Sequence, residues 1–420
     1  MKKNKKNIFY AQSGGVTPVI NATAAGLIDS LSKNQNKYGK LLIGKNGIAG
    51  AINEELIDVT REKKTEIKKL IHTPGGAFGS CRIKLKDYKK NKKEFERILE
   101  VFKAHNIGYF LYNGGGDSQD TTLKLSEFCT ANNYDLKCIG LPKTIDNDLP
   151  VTDNCPGYGS VAKYIATSTY EASLDVASMA NSSTKVFLLE VMGRHAGWLA
   201  ASSGIIKNIS KEPPHIILFP EIEFNEKSFL SKVKNCINKN GYCVIVASEG
   251  IKDNYGEFLA ASKTKDSFGH AHLGGVAPKL SNLITNKLGY KVHWAVSDYL
   301  QRAARHISSS TDVKQAYAIG YASLNLINKG IDGVMLTIKS KKGGSYKWSV
   351  GYTNLSNVAN IEKKLPKNYI TKDGYGITAK CRKYINNLVY GEDYPPFKNG
   401  VPDYAKLKHP LVPKKLRKFK

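Results

Sequence analysis

The chain has 420 residues, 41% of them hydrophobic, with 63 Lys and Arg against 36 Asp and Glu for a formal charge of +27. Those values describe a globular chain of one large domain or two; no apolar run approaches the roughly 18–20 residues of a membrane helix, and the opening MKKNKKNIFYAQSGG has no apolar segment of a secretory signal. The basic excess sits at the ends MKKNKK and KKLRKFK and is otherwise scattered, with no nucleic-acid-binding pattern behind it, which argues against a nucleic-acid partner and leaves the charge to steer small polyanions.

In chain order, Ile8–Ala11 predicts a short buried strand that breaks into Gln12-Ser13-Gly14-Gly15, followed by an Ala-rich helix after Asn21. A strand, a glycine turn and a helix start gather free backbone N–H groups and the positive helix end at one point, a cradle for phosphate. Residues 39–46, GKLLIGKN, nearly spell a Walker A loop. Asn46 stands where Ser or Thr would hold Mg²⁺, however, and Leu41–Ile43 reads as strand. Thr73–Arg82, TPGGAFGSCR, is a second glycine loop that delivers Arg82, either a surface charge or a bidentate clamp on phosphate. Lys84–Lys103 reads as a solvated helix dense in Lys and Glu.

Tyr109–Tyr112 and Cys138–Leu141 predict buried parallel strands, each ending in an abrupt polar turn, NGGGDSQD and PKTIDND. Loops at the carboxyl ends of such strands carry ligands. Gly114–Gly116 permit close approach, and Asp117, Asp120, Asp146 and Asp148 supply the charge to hold a phosphate through Mg²⁺. Taken as extended chain, Thr144, Asp146 and Asp148 share one face. Phosphoryl transfer to an alcohol needs a base, a metal-side carboxylate and a donor, and Asp146, Asp148 and Thr144 are of those types, with Lys143 adding a cation. The plain alternative is a solvated Asp-rich turn.

Pro156–Ser160 forms a turn into a long helix. Strands at Val186–Val191, Ile216–Phe219 and Tyr242–Ala247 end in MGRH, PE and SEG; a helix at Asp312–Lys329 and a strand at Val334–Ile338 follow. The alternation predicts an α/β protein with doubly wound, mostly parallel sheets. His270 and His272 lack a third ligand at metal spacing and read as loop histidines. Beyond Lys339, KSKKGGSYKW and a Pro-interrupted tail read as surface additions. Seven cysteines without a CxxC predict reduced thiols in a cytoplasmic protein.

Together SGGVTPVINA, GGAFGSCR, NGGGDSQDT, LPKTIDND, CPGYGSVAKYIATS, VMGRHAGWLA, the SEG at 248–250 and YLQR at 299–302 resemble the phosphofructokinase A family over about Ile8–Ile338. They resemble its pyrophosphate-dependent branch in particular. The resemblance implies two Rossmann-like three-layer domains with an active site in the cleft between them. Residues 1–157 plus about 301–350 would bind the phosphoryl donor, and 158–300 plus about 351–420 the sugar phosphate. The implied reaction is reversible, Mg²⁺-dependent transfer from pyrophosphate to the 1-hydroxyl of fructose 6-phosphate, a glycolytic step, by a homodimer or homotetramer.

Carried over by position, Asp146 is the base, and Thr144 and Arg194 stabilise the moving phosphoryl group. Gly15, Arg82, Asp117 and Lys143 face the donor, with Asp117 and Asp148 toward the metal. Met192, Gly193 and Glu249 hold the sugar, and Tyr299 and Arg302 its 6-phosphate. In ATP-using relatives glycines occupy the positions of Asp117 and Lys143, so two charged side chains here imply pyrophosphate as donor. Three departures stand out. Gly116 replaces a common metal-side Asp, and Lys185 and His293 replace two arginines that reach the 6-phosphate from a neighbouring subunit. The alternatives are an ATP-dependent kinase of the same fold, a broader phosphosugar kinase using sedoheptulose 7-phosphate, and a regulatory subunit or basic binding protein.

Overall fold

The structure, a computed structural model, describes residues 5–85, 87–206, 212–265, 271–341 and 345–419. Its first strands are β1 (Asn7–Gln12), β2 (Leu41–Gly44), β3 (Leu56–Asp58), β4 (Ile107–Gly114) and β5 (Lys137–Pro142). Next come β6 (Val186–Val191), β7 (Ile216–Leu218), β8 (Cys243–Ser248) and a short antiparallel pair, β9 (Ala261–Lys265) and β10 (Ala271–Leu273). The remaining three of the two main sheets are β11 (Val292–Val296), β12 (Val334–Lys341) and β13 (Lys347–Asn354). The chain divides into two units, Met1–Gly157 with Ser310–Glu362 and Glu392–Lys420, and Tyr158–Ser309 with Lys363–Gly391.

The first unit holds a seven-stranded sheet in the order β13-β12-β5-β4-β1-β2-β3. Its five inner strands are parallel and its two edges antiparallel. Successive side chains of a strand point to opposite faces. Ile8, Tyr10, Leu41, Leu111 and Ile139 therefore join one apolar layer, while Phe9, Ala11, Leu42, Phe110 and Cys138 join the other. Burial on both faces is why these runs read as continuously apolar. On one face the helices Ile20–Ser32 and Ser310–Asn328 meet backbone to backbone. A Cβ on Gly26 would stand 2.1 Å from the Tyr317 carbonyl oxygen, and one on Gly320 only 1.9 Å from that of Thr23. Only glycine allows that approach.

The second unit holds a four-stranded parallel sheet, β11-β6-β8-β7. Its core packs Val186, Leu188, Ile216 and Ile245 against Phe229 and Leu280 from the flanking helices.

Three expectations change. The helix predicted over Lys84–Lys103 begins at Lys92 and is not wholly solvated. Phe95, Ile98, Leu99 and Phe102 are buried, with the Phe102 ring 5.2 Å from Phe9 and 5.9 Å from Phe110. Their i, i+3, i+4, i+7 spacing was hidden by the surrounding charges. The KSKKGGSYKW stretch leads into β13, which pairs with β12 from Lys341↔Lys347 to Val334↔Asn354 and so forms a sheet edge.

The third change is the boundary between the units, which falls at 310 and 362 rather than near 301 and 350. Residues 392–420, expected with the second unit, belong to the first. Carboxylates capture their backbone. Glu66 accepts the Lys406 N–H at 2.7 Å, and Glu62 accepts those of Lys408 and His409 at 3.1 and 2.6 Å. Buried Glu54 accepts those of Lys415 and Leu416 at 2.6 and 3.1 Å, faces His105 Nε2 at 2.7 Å and lies 3.6 Å from the Arg97 guanidinium. Burial pushes the Glu54 carboxyl up, but the Lys415, His105 and Leu416 donors outweigh it and hold the group below its ordinary value. Val412, Leu416 and Phe419 then cover the apolar layer around Phe9.

Candidate functional site

In the first unit the polar turns after β1, β4 and β5 are knitted to one another. The Ser13 N–H donates to the Asn113 carbonyl at 2.9 Å, and the Gly14 N–H to that of Cys81 at 2.9 Å. The Ser80 hydroxyl reaches the Gly14 carbonyl at 2.7 Å, and that of Ser118 reaches the Ser13 hydroxyl at 2.8 Å. Gly14 has φ +70°, a turn that few other residues adopt without strain. Buried Asn21 draws in the second glycine loop. Its amide donates to the Thr73 and Gly75 carbonyls at 2.8 and 2.9 Å, and its oxygen accepts from the Ala77 N–H at 3.1 Å and Gln12 at 2.9 Å. Arg82, at the far end of that loop, is exposed.

Lys143 is buried and ties the β5 turn to both glycine turns. Its ammonium donates to the Gly15 carbonyl at 2.6 Å and its backbone N–H to that of Gly114 at 3.2 Å. Asp117 lies in the first turn of the Gly116–Ala131 helix, where negative charge is favoured, and pairs with Lys84. Asp120 does not join it: it is buried, 2.5 Å from the Lys124 ammonium, and accepts from Asn360 at 2.9 Å. Its role is to hold the helix in place.

The segment around Asp146 is a turn, not an extended strand. The Asp146 N–H donates to Thr144 Oγ1 at 3.0 Å, and Asn147 adopts φ +54° with its oxygen accepting the Cys155 N–H at 3.0 Å. Asn tolerates this left-handed conformation far better than most residues, which breaks the alternation expected of Thr144, Asp146 and Asp148. The turn still brings Thr144 Oγ1 within 3.4 Å of Asp146 Oδ2. Asp146 and Asp148 are both half-buried.

In the second unit, β6 and β8 end side by side and present Met192-Gly193-Arg194 next to Glu249. The Glu249 N–H donates to the Val191 carbonyl at 2.9 Å, the Gly193 N–H to Glu249 Oε1 at 3.3 Å, and the Ser248 hydroxyl to the Gly193 carbonyl at 2.6 Å. Burial pushes the Glu249 carboxyl above its ordinary value, and the Gly193 N–H and the Arg194 charge only partly oppose it. The Arg302 guanidinium lies 3.9 Å from the centroid of the exposed Tyr299 ring, on the helix Asp298–Ala303.

Lys185 precedes β6 and donates its N–H to the Lys291 carbonyl at 3.1 Å, while His293 is exposed on edge strand β11 opposite Phe187. His270 lies outside the described residues, and so does the side chain of His272.

Several supporting groups gave no sequence signal. Lys84 was hidden in a lysine-rich run. Buried Gln301 accepts the Met192 N–H at 3.4 Å. Buried Glu190 accepts the N–H groups of Gly275 and Ala277 at 3.1 and 2.8 Å, anchoring the start of the Val276–Leu288 helix. An acidic residue inside an apolar run, as in VFLLEV, was the available hint for Glu190.

Compared with known proteins, the phosphofructokinase family model matches residues 7–327. The chain belongs to the phosphofructokinase family. Similar members include the pyrophosphate–fructose 6-phosphate 1-phosphotransferase of Halomonas elongata, 54% identical over 99% of both chains. The protein of the same name from Methylococcus capsulatus is 53% identical over 98% of both. Among solved structures, the pyrophosphate-dependent phosphofructokinase of Marinobacter aquaeolei superposes with a TM-score of 0.91 at 55% identity, covering 99% of this chain and 100% of that one. Among the described residues no helix is long and apolar enough to cross a membrane.

Proposed function

We propose that the chain catalyses reversible transfer of a phosphoryl group from pyrophosphate to the 1-hydroxyl of fructose 6-phosphate, giving fructose 1,6-bisphosphate and phosphate. The observation that carries this is the 54% identity, over nearly the whole length of both chains, to a relative bearing that activity in its name. Asp146 takes the proton of the 1-hydroxyl as its oxygen attacks the donor phosphorus. The new P–O bond forms while the bridging P–O bond of pyrophosphate breaks, and phosphate leaves. Thr144, held against Asp146, and Arg194 donate to the oxygens of the moving group.

The donor lies against the Gly15 turn, Arg82 and Lys143. A fixed ammonium at Lys143 suits a terminal phosphate, and the Asp117 carboxylate at a helix start disfavours the extra phosphate and ribose of a nucleotide. Asp117 and Asp148 offer hard oxygen donors from partly solvated carboxylates, a set that fits Mg²⁺. When bound, Mg²⁺ neutralises charge on the phosphate oxygens. With Gly116 in place of a further carboxylate, Lys84 beside Asp117 limits the negative charge left to hold it.

Glu249 and the Met192–Gly193 backbone hold the sugar hydroxyls, and Arg302 with Tyr299 binds the 6-phosphate. Lys185 and His293 serve the same phosphate across a subunit boundary in a homodimer or homotetramer. Exposed Trp294 and Val296 on edge strand β11, with exposed Tyr170 and Leu174 on the Tyr158–Met179 helix, support association of copies. Free thiols at all seven cysteines suit the cytoplasm.

The test is direct. Pyrophosphate, Mg²⁺ and fructose 6-phosphate are mixed with the purified chain and followed by phosphorus NMR. Fructose 1,6-bisphosphate and phosphate are expected in equal amounts; no product would overturn the proposal.

A further inference from the structure

A cavity of about 510 Å³ opens in the second unit, away in sequence from every residue assigned above. His215, Lys232, Cys236, Lys239, Asp373 and Arg382 are among the residues that line it. Cys236 sits near the end of the helix Glu226–Asn240, and Cys243 is the first residue of β8. The helix stops at Gly241 in a left-handed conformation, φ +83°, so the chain reverses at once and returns Cys243 beside Cys236. The two sulfurs and a ring nitrogen of His215 all lie within 4.8 Å of one another.

The protonation of the ring can be read from its neighbours. His215 Nδ1 accepts the Val244 N–H at 2.9 Å, so in the neutral imidazole the proton is on Nε2. Nε2 is buried and has no hydrogen-bond partner among the described residues. The ring lies beside two thiols. A soft metal ion on the same three groups would either displace the Val244 N–H from Nδ1 or take Nε2 and leave an imidazolate. Thiol chemistry needs no such rearrangement.

The two cysteines differ in a useful way. Cys236 is half-buried and borders the cavity, and its sulfur accepts from the Asn240 amide at 3.4 Å. Cys243 is fully buried behind it. The neighbouring Cys243 thiol and, after it, His215 hold the Cys236 thiol below the usual range despite burial. Burial pushes the Cys243 thiol up. Lys239 and Arg382 favour an anion at the cavity wall; Lys232 is already paired with Asp373 at 2.5 Å.

We propose that Cys236 and Cys243 form a peroxide-reactive dithiol, a modification site separate from the phosphoryl-transfer residues. The Cys236 thiolate attacks a hydroperoxide. An S–O bond forms, the O–O bond breaks, the sulfur is oxidised to a sulfenic acid, and the hydroperoxide is reduced to an alkoxide or hydroxide. Cys243 then attacks that sulfur. The S–S bond forms as the S–O bond breaks, and the departing hydroxide takes the Cys243 proton to leave as water. Two electrons pass from the thiol pair to the hydroperoxide, and a reduced thiol in excess restores the pair by exchange.

Wild-type protein treated with hydrogen peroxide and alkylated should yield a peptide linking Cys236 to Cys243, with the other five cysteines still alkylated. In Cys243→Ser the reaction should stop at a dimedone-trapped sulfenic acid on Cys236. His215→Phe should slow formation of the disulfide by about tenfold, from loss of the imidazole beside the thiolate. A second measurement needs no variant. At pH 6, iodoacetamide should label Cys236 of the native protein about tenfold faster than Cys81, the other partly exposed thiol. Prior oxidation of Cys81, absence of the 236–243 disulfide, or stoichiometric zinc binding lost in Cys236→Ala would overturn the proposal.

Discussion

Glu54→Gln is a sharp test of how the basic tail is held. The substitution keeps side-chain volume and one carbonyl oxygen but replaces the other oxygen with an NH₂. In the native arrangement Oε1 accepts the Lys415 N–H at 2.6 Å and contacts His105 Nε2 at 2.7 Å, while Oε2 accepts the Leu416 N–H at 3.1 Å and faces Arg97 at 3.6 Å. Whichever way the amide turns, a donor meets a donor. A hydrogen bond to a charged group contributes roughly 1.5–3 kcal/mol, and the surviving bond also loses its charge, so docking of residues 411–419 should weaken by about 2–4 kcal/mol.

At roughly 1.4 kcal/mol per decade, that is about 30- to 700-fold faster hydrogen exchange at the amides of 415 and 416. The sign with pH is fixed. Because the folded carboxyl is held below its unfolded value, its contribution is whole above the unfolded pKa near ~4.3 and is lost as pH falls through the folded one. Wild-type exchange at those two amides in Glu54→Gln would refute the reasoning.

Three further substitutions report on other levels. Asp146→Asn should lower kcat by roughly 10²–10⁴ with little change in the sugar KM, since only proton removal is lost. Glu249→Gln should instead raise the KM for fructose 6-phosphate, by about tenfold for one charged hydrogen bond, which initial rates across sugar concentrations measure. Gly320→Ala should destabilise the first unit by about 1–3 kcal/mol, because its Cβ would stand 1.9 Å from the Thr23 carbonyl oxygen; thermal unfolding reads this as a lower midpoint.

The strands were legible because burial on both faces writes an unbroken apolar run, as at Phe110–Tyr112 and Val186–Val191. The polar turns were legible because each run ends at glycines and carboxylates. What escaped depends on contacts far apart in sequence. Nothing in GKLLIGKNGIAGAINEE marks Glu54 as the acceptor for backbone groups some 360 positions later, since backbone N–H groups have no sequence signature. Asp120 and Asp117 look alike on paper, and only the neighbours Lys124 and Asn360 against Lys84 separate them. The turn at Asp146 could have been anticipated. Asn147 between two carboxylates is a residue type that tolerates the left-handed conformation it adopts.

Donor selection is the part proposed for Asp117 and Lys143. It is tested most directly by the ratio of kcat/KM for pyrophosphate to that for ATP, in wild type and in Asp117→Gly with Lys143→Gly. The wild type should use pyrophosphate and show negligible turnover with ATP. The double variant should lose much of its pyrophosphate activity and shift the ratio toward ATP. An unchanged ratio, or a wild type that prefers ATP, would contradict the account.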